Sequence, residues 1–293
     1  MELLAATDEG VISLPDGERH GAEPVTFLHR AGGVRVEVRG GHEVAVGTDG
    51  DARELRSDLR VDCALALAGG GALIGTAEAR LFAIRGGRLE PVESFDRAEG
   101  RERWHTPWGG PPDVRSLSSG VDGAIYANVH VGGILRSDDG GETWTPTAIP
   151  IEEDVHQVLA HPERAGLVLA ATAYGLARSE DGGETWETID AGLERRYCRA
   201  VAAAGDTVLV SASSGPGGSH AALYRLVGER FERCDLPDPL GANLDTHRLV
   251  ADGETAAAAL PGGEVYLSKD AGGTWERIAE VPTGVFCLSL KAP

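Results

Sequence analysis

Ser137-Asp138-Asp139-Gly140-Gly141-Glu142-Thr143-Trp144 decides the fold of this 293-residue chain. The octet returns as Ser179-Glu180-Asp181-Gly182-Gly183-Glu184-Thr185-Trp186. A third copy reads Ser268-Lys269-Asp270-Ala271-Gly272-Gly273-Thr274-Trp275. All three satisfy S-x-D-x-G-x-T-W, and each part has a physical reason. An aspartate in a tight turn accepts hydrogen bonds from backbone N–H groups just ahead of it. Glycine permits the positive φ at which a chain reverses between two strands. The hydroxyls close the turn, and the tryptophan re-enters the sheet as a large apolar plug.

This octet resembles the Asp-box of BNR-repeat β-propellers, a superfamily that includes sialidases, sortilin-type receptors and photosystem assembly factors. The resemblance implies four-stranded blades with the box between strands three and four, on the face away from the active site. Asp139, Trp144, Asp181, Trp186, Asp270 and Trp275 are therefore expected to be structural.

The repeat length follows from the tryptophans. Trp144 and Trp186 are 42 residues apart, and Trp186 and Trp275 are 89 apart, so one degenerate copy lies between the last two. Phe231 fills that slot. Leu81-Phe82-Ala83-Ile84-Arg85-Gly86-Gly87-Arg88-Leu89 is an earlier copy without a box. The register predicts an all-β, single-domain, seven-bladed propeller spanning 1–293. Its blades are 33–60, 61–96, 113–149, 154–190, 196–236 and 245–281, with an insertion loop at 97–112. The remaining blade combines 1–30 with 285–290, so that the two termini pair and leave no free sheet edge.

Composition narrows the partners. With 27 basic and 46 acidic residues the net charge is −19, which argues against nucleic acid or an anionic membrane as a partner. The start of the chain shows no basic segment, apolar core or small-residue cleavage site, so the expected location is cytoplasmic. Cys63, Cys198, Cys234 and Cys287 have no metal-binding spacing and read as reduced, mostly buried thiols.

The entries to the first strands align as Val114-Arg115-Ser116-Leu117, Val155-His156-Gln157-Val158, Cys198-Arg199-Ala200-Val201 and Thr246-His247-Arg248-Leu249. One slot thus holds Arg115, His156, Arg199 and His247 in four consecutive blades. In the third blade that slot reads as Cys63. Asp154, Tyr197 and Asp245 come just before three of the slots. Asn128 and His130, two apart on one strand, are expected on the same side. His161, five residues beyond His156, is expected at the opposite face, ~16 Å along the strand.

The loop Arg101-Glu102-Arg103-Trp104-His105-Thr106-Pro107-Trp108-Gly109-Gly110-Pro111-Pro112 places two tryptophans in a proline-stiffened segment suited to covering a pocket. The expected site therefore lies on the channel face of the fourth to seventh blades and takes an anionic or sugar-like ligand. Arg115 and Arg199 would hold the anion by forked hydrogen bonds. His156 and His247 would transfer protons, with Asp154 or Asp245 fixing the tautomer and Tyr197 beside them. Trp104, His105 and Trp108, with Asn128 and His130, would line the ligand. No cofactor is required, although His130, His156 and His247 form an alternative set for a divalent metal. The sialidase resemblance implies an arginine cluster with Tyr and Asp as catalysts. Arg115, Arg199 and Tyr197 match in type, but no R-I-P motif stands near the N-terminus, and sialidases have six blades. The competing expectation is a non-enzymatic scaffold with a protein partner.

Overall fold

The computed structural model describes residues 1–48, 51–67, 69–150 and 154–291. Strands form seven four-stranded antiparallel sheets, the seven-bladed β-propeller fold that the repeat predicts. The first blade orders Cys287–Lys291, Glu2–Thr7, Gly10–Leu14 and Glu18–His20, so both ends of the chain share it. Its seam pairs Leu3 with Leu290 and Ala5 with Leu288. The other blades run from Val25–Ala31 to Asp51–Arg56, Val61–Ala66 to Arg88–Pro91, Val114–Ser119 to Thr145–Pro146, Val155–Ala160 to Glu187–Ile189, Tyr197–Ala204 to Arg230–Arg233, and Leu249–Asp252 to Glu276–Glu280. Residues 49–50 and 68, inside the predicted second and third blades, lie outside the described residues.

One boundary differs from expectation. Residues 25–31, read as the end of the first blade, form the innermost strand of the second. Their alternating apolar residues are what such a strand needs. Without a box in this blade, nothing in the sequence marked where it begins.

The chain groups into two compact units, Thr26–Leu169 with Ser179–Trp186, and Met1–Val25 with Ala170–Arg178 and Glu187 onward. In the first, innermost strands are tied side by side by polar groups. Ser116 and Ser118 hydroxyls accept from the N–H of Val158 and Ala160 at 2.9 Å. The amide of Asn128 donates to the Val155 carbonyl at 3.0 Å. In the second, runs of alanine (Ala200, Ala202 and Ala204; Ala256 and Ala258) let neighbouring strands approach closely around Leu209, Leu249 and Trp275.

The boxes are built as their chemistry predicts. Oδ1 of Asp139 accepts from the N–H of Glu142 and Thr143 and from the Ser137 hydroxyl; Oδ2 accepts from the Thr143 hydroxyl. Trp144, Trp186 and Trp275 each donate Nε1–H to the glycine carbonyl three residues back at 3.1 Å. Gly141 adopts φ +92° inside its turn. These bonds, the Thr143 hydroxyl's first, pull the Asp139 carboxyl down to about 2. Its stabilisation is therefore complete above the unfolded value near 4 and is lost as pH falls through 2. Asp139→Ala is expected to cost about 1 kcal/mol at neutral pH, discounted for an exposed site. Urea melts of both proteins at pH 7 and pH 2 should show that difference shrinking in acid.

Candidate functional site

Among the described pairings, three innermost strands carry a β-bulge near their start. The extra residue is Asp62 between Val61 and Cys63, Arg115 between Val114 and Ser116, and Arg199 between Cys198 and Ala200. A bulge breaks the strict alternation of a strand and re-aims one side chain. This corrects the third blade, where the aligned slot belongs to Asp62 and not to Cys63. Cys63 is fully buried, its Sγ donates to the Val114 carbonyl at 3.3 Å, and burial pushes its thiol far above the ordinary value.

The first unit gathers Arg115, His130, Asp154, His156 and Trp108. Nε2 of His130 lies 3.2 Å from Oδ1 of Asp154, and Nε2 of His156 lies 3.6 Å from Oδ2 of the same carboxylate. The imidazole centroids are 5.8 Å apart. Nη1 of Arg115 stands 3.4 Å from Nε2 of His130. The Trp108 ring is 5.5 Å from His130 and 70 % exposed. His156 lies within Val155–Ala160 at 0 % exposure, while His130 follows the strand Ile125–Val129.

Burial acts to raise the Asp154 carboxyl. The His130 hydrogen bond and the charges of His156, His130 and Arg115 outweigh it and hold the group below the usual carboxylate range. Two residues beside the cluster adopt positive φ without being glycine: Asp154 at +49° and Val131 at +55°. For β-branched valine that conformation is a true outlier. Such conformations cost of order 1–3 kcal/mol each and gather at functional sites.

The charge of Arg115 also reaches Asp62. Asp62 accepts from Nε of Arg60 at 2.9 Å, and Nη2 of Arg60 bridges to Asp113 at 2.9 Å. Burial, reinforced by the charge of Asp113, pushes the Asp62 carboxyl up to about 6 against the pull of Arg60 and Arg115. Asp62, Arg60 and Asp113 were not singled out from sequence. Asp113 could have been, because it stands two residues before Arg115, just as Asp154 stands two before His156.

The second unit holds its own set. The Arg199 guanidinium lies 5.9 Å from the Tyr197 ring, with Nη1 3.5 Å from Oδ1 of Asp245. His247 stands at the strand entry, as the alignment expects, and outside the strand itself. It occupies the turn before Leu249–Asp252 at φ +71°, and its carbonyl accepts from Leu288 N–H. Arg248, next to it, went unnoticed in the sequence. Burial lowers its guanidinium pKa, Asp245 opposes that, and the charge of Arg199 adds to the lowering.

Three expected ligand contacts lie elsewhere. Trp104 is 9 % exposed and packs on Phe95 at 5.8 Å, with the Arg101 guanidinium 4.9 Å from its ring. It supports the loop from below, and Trp108 is the ring left outside. Exposed His105 bonds through Nδ1 to the Arg103 carbonyl. Asn128 is fully buried in its tie to Val155. His161, kept out of the site, is buried and accepts from Glu163 N–H through Nδ1. Among the described residues, the group with metal-ligand spacing is His130, Asp154 and His156, with Asp154 in place of the expected His247. No described helix is long and apolar enough to cross a membrane.

No curated protein matches the chain. Among solved structures it is similar to the GH74 xyloglucanase from Xanthomonas campestris (16 % identity, 94 % of this chain and 47 % of that one, TM-score 0.63). It is also similar to an ancestral GH74 enzyme (14 %, 95 % and 40 %, 0.63) and to YCF48 bound to D1 peptide (14 %, 77 % and 69 %, 0.52). The chain thus spans under half the length of these GH74 structures, and at such identities the likeness is one of fold. The family whose profile matches is the BNR/Asp-box repeat, over residues 135–146, which contain the first of the three octets.

Proposed function

We propose that this propeller binds an anionic or sugar-like small molecule beside Arg115, and that the site performs proton transfer in a hydrolase- or lyase-type reaction. The observation that carries this reading is the meeting of Arg115, His130, Asp154 and His156 beneath an exposed tryptophan. Arg115 supplies a forked donor for a carboxylate or phosphate. Trp108 offers an apolar face to a sugar ring. Asp62 and Asp154 give a pair of carboxyls pushed in opposite directions, one protonated up to about pH 6 and one kept ionised. Such a split suits an acid and a base in one site. The fold likeness to GH74 enzymes is in keeping with a carbohydrate ligand.

Thermal melts against sugar acids, phosphorylated sugars and simple carboxylates test this. A ligand at 100 times its Kd stabilises the folded state by about 2.7 kcal/mol. The shift should vanish in Arg115→Ala. Arg199→Ala, run separately, reports whether the second arginine set takes part. If no compound shifts the wild type and Arg115→Ala melts like it, the small-molecule reading fails. The second reading is then a protein-interaction scaffold, supported by the likeness to YCF48, which was solved with a bound peptide.

A further inference from the structure

We propose that Nε2 of His130, a carboxylate oxygen of Asp154 and Nε2 of His156 together bind a first-row divalent transition metal of the zinc class. The inference deepens the reading above by giving the same site a resident cation, but it stands on its own geometry.

The spacing fits. Ligand atoms about 2.1 Å from a tetrahedral ion lie about 3.4 Å from one another. The histidine–carboxylate distances are 3.2 Å from His130 to Oδ1 and 3.6 Å from His156 to Oδ2 of Asp154, and one donor atom from each of the three residues falls within 4.8 Å of the others. The donors therefore need only small rotations to close on an ion. Two neutral imidazoles with one carboxylate are a borderline donor set that suits zinc, cobalt, nickel or ferrous iron. Calcium and magnesium prefer all-oxygen shells.

The hydrogen bonding of His130 is contradictory as it stands. Nε2 faces the Asp154 carboxylate, which requires an N–H, and the Arg115 guanidinium, which requires a lone pair. A single protonation state serves one neighbour and leaves the other badly matched. A cation resolves the conflict, because both imidazoles and the carboxylate then act as lone-pair donors, and Arg115 turns to an anionic ligand. The backbone points the same way. Positive φ at Asp154 and at Val131, just after His130, fixes the two ends of the triad in conformations that cost free energy. Conformations of this kind are one way a fold holds ligands preorganised.

Access is also suitable. His156 is fully buried, but Asp154 and His130 keep partial exposure, and the exposed Trp108 ring lies beside His130. Three protein ligands with an open side are the arrangement of a metal that binds a water or substrate as its fourth ligand. Bound there, the ion would lower the pKa of its water and polarise an oxygen of the organic ligand.

The test uses the 293-residue chain stripped with EDTA and then titrated with Zn²⁺ by calorimetry and with Co²⁺ by visible absorption. One ion per chain is expected, with the intense d–d bands of a low-symmetry Co²⁺ site. Asp154→Asn and His156→Gln should each weaken binding roughly 100-fold or more, beyond the 10–100-fold typical of outer-shell changes. His105→Gln, which alters an exposed histidine outside the cluster, should bind as wild type does. Should His156→Gln fail to fold, the less buried His130→Gln takes its place, with circular dichroism as the control. No stoichiometric ion in the wild type, or undiminished binding in folded Asp154→Asn and His130→Gln, overturns the proposal and leaves a cluster of two histidines around one carboxylate. Repeating the carboxylate and sugar-acid melts in EDTA separates the two readings. Organic ligand binding without any metal site retains the first and removes the second; stoichiometric metal without an organic ligand does the reverse.

Discussion

Phe95→Ala is expected to destabilise the protein by about 3–5 kcal/mol, the range for emptying a fully buried aromatic site. For a chain of this size that lowers the melting temperature by on the order of 10 °C. Phe95 is wholly buried in the short helix Glu93–Asp96 and serves two structures at once. Its ring meets Trp144 of the first octet in a T-shaped contact at 5.5 Å and Trp104 of the insertion, tilted, at 5.8 Å. Trp104 in turn packs against the turn at Gly132, where an added Cβ would approach its ring at 3.1 Å. The neighbouring Ser94 hydroxyl donates to the Glu142 carbonyl at 2.5 Å, tying the helix to the same octet. Removing the ring leaves a cavity bordered by two tryptophans that cannot both close it. The insertion also carries Trp108 beside His130, so ligand affinity should fall together with stability. Phe95→Leu, which keeps most of the volume, should recover most of both. A loss below 1 kcal/mol in urea melts, or stability lost with the insertion still protected from protease, would show that the three rings do not act as one support.

The octets and their spacing made the blade count, the degenerate sixth blade and the shared terminal blade legible, because a repeated turn has one chemistry and one period. Phe231 does stand buried in its predicted slot. The site was legible only as a level along the strands. Counting places Asn128 and His130 on one side of a strand, but it cannot tell a side chain that bonds the next blade from one that stays accessible. Asn128 does the first, whereas His130 meets Arg115 and Asp154. Bulges were invisible for the same reason. One inserted residue shifts the alternation, so the third blade read as Cys63 when the residue turned out of register is Asp62. The two tryptophans of the insertion looked equivalent in composition. Packing separates them, since Phe95 takes Trp104 and leaves Trp108 outside.

Asp62→Asn should make the protein more stable at pH 7 and no more stable at pH 4. The carboxyl stands at about 6 when folded, against an ordinary 3.8. Below about 4 both folded and unfolded chains hold this proton, and the group contributes nothing to pH dependence. Between 4 and 6 the folded chain binds the proton more tightly, so stability falls as pH rises; above 6 the whole penalty of a buried anion remains. A separation of that size corresponds to at most about 3 kcal/mol. That figure is already net of the pull of Arg60. Asparagine carries no charge to bury, so the gain at pH 7 should be at most about 3 kcal/mol, read from urea melts of both proteins at pH 4, 5, 6 and 7. The side chain is only 20 % exposed, so solvent does not erase the effect. In the proposed reaction the same carboxyl is the acid, and the substitution should abolish turnover while the fold gains. A variant that is both more stable and inactive would mean that the buried carboxyl is kept for its proton, at a cost borne by the third blade. A pH-independent difference between the two proteins would instead place Asp62 in ordinary ion pairing with Arg60, and the acid of the site would have to be sought among the remaining carboxyls around Arg115.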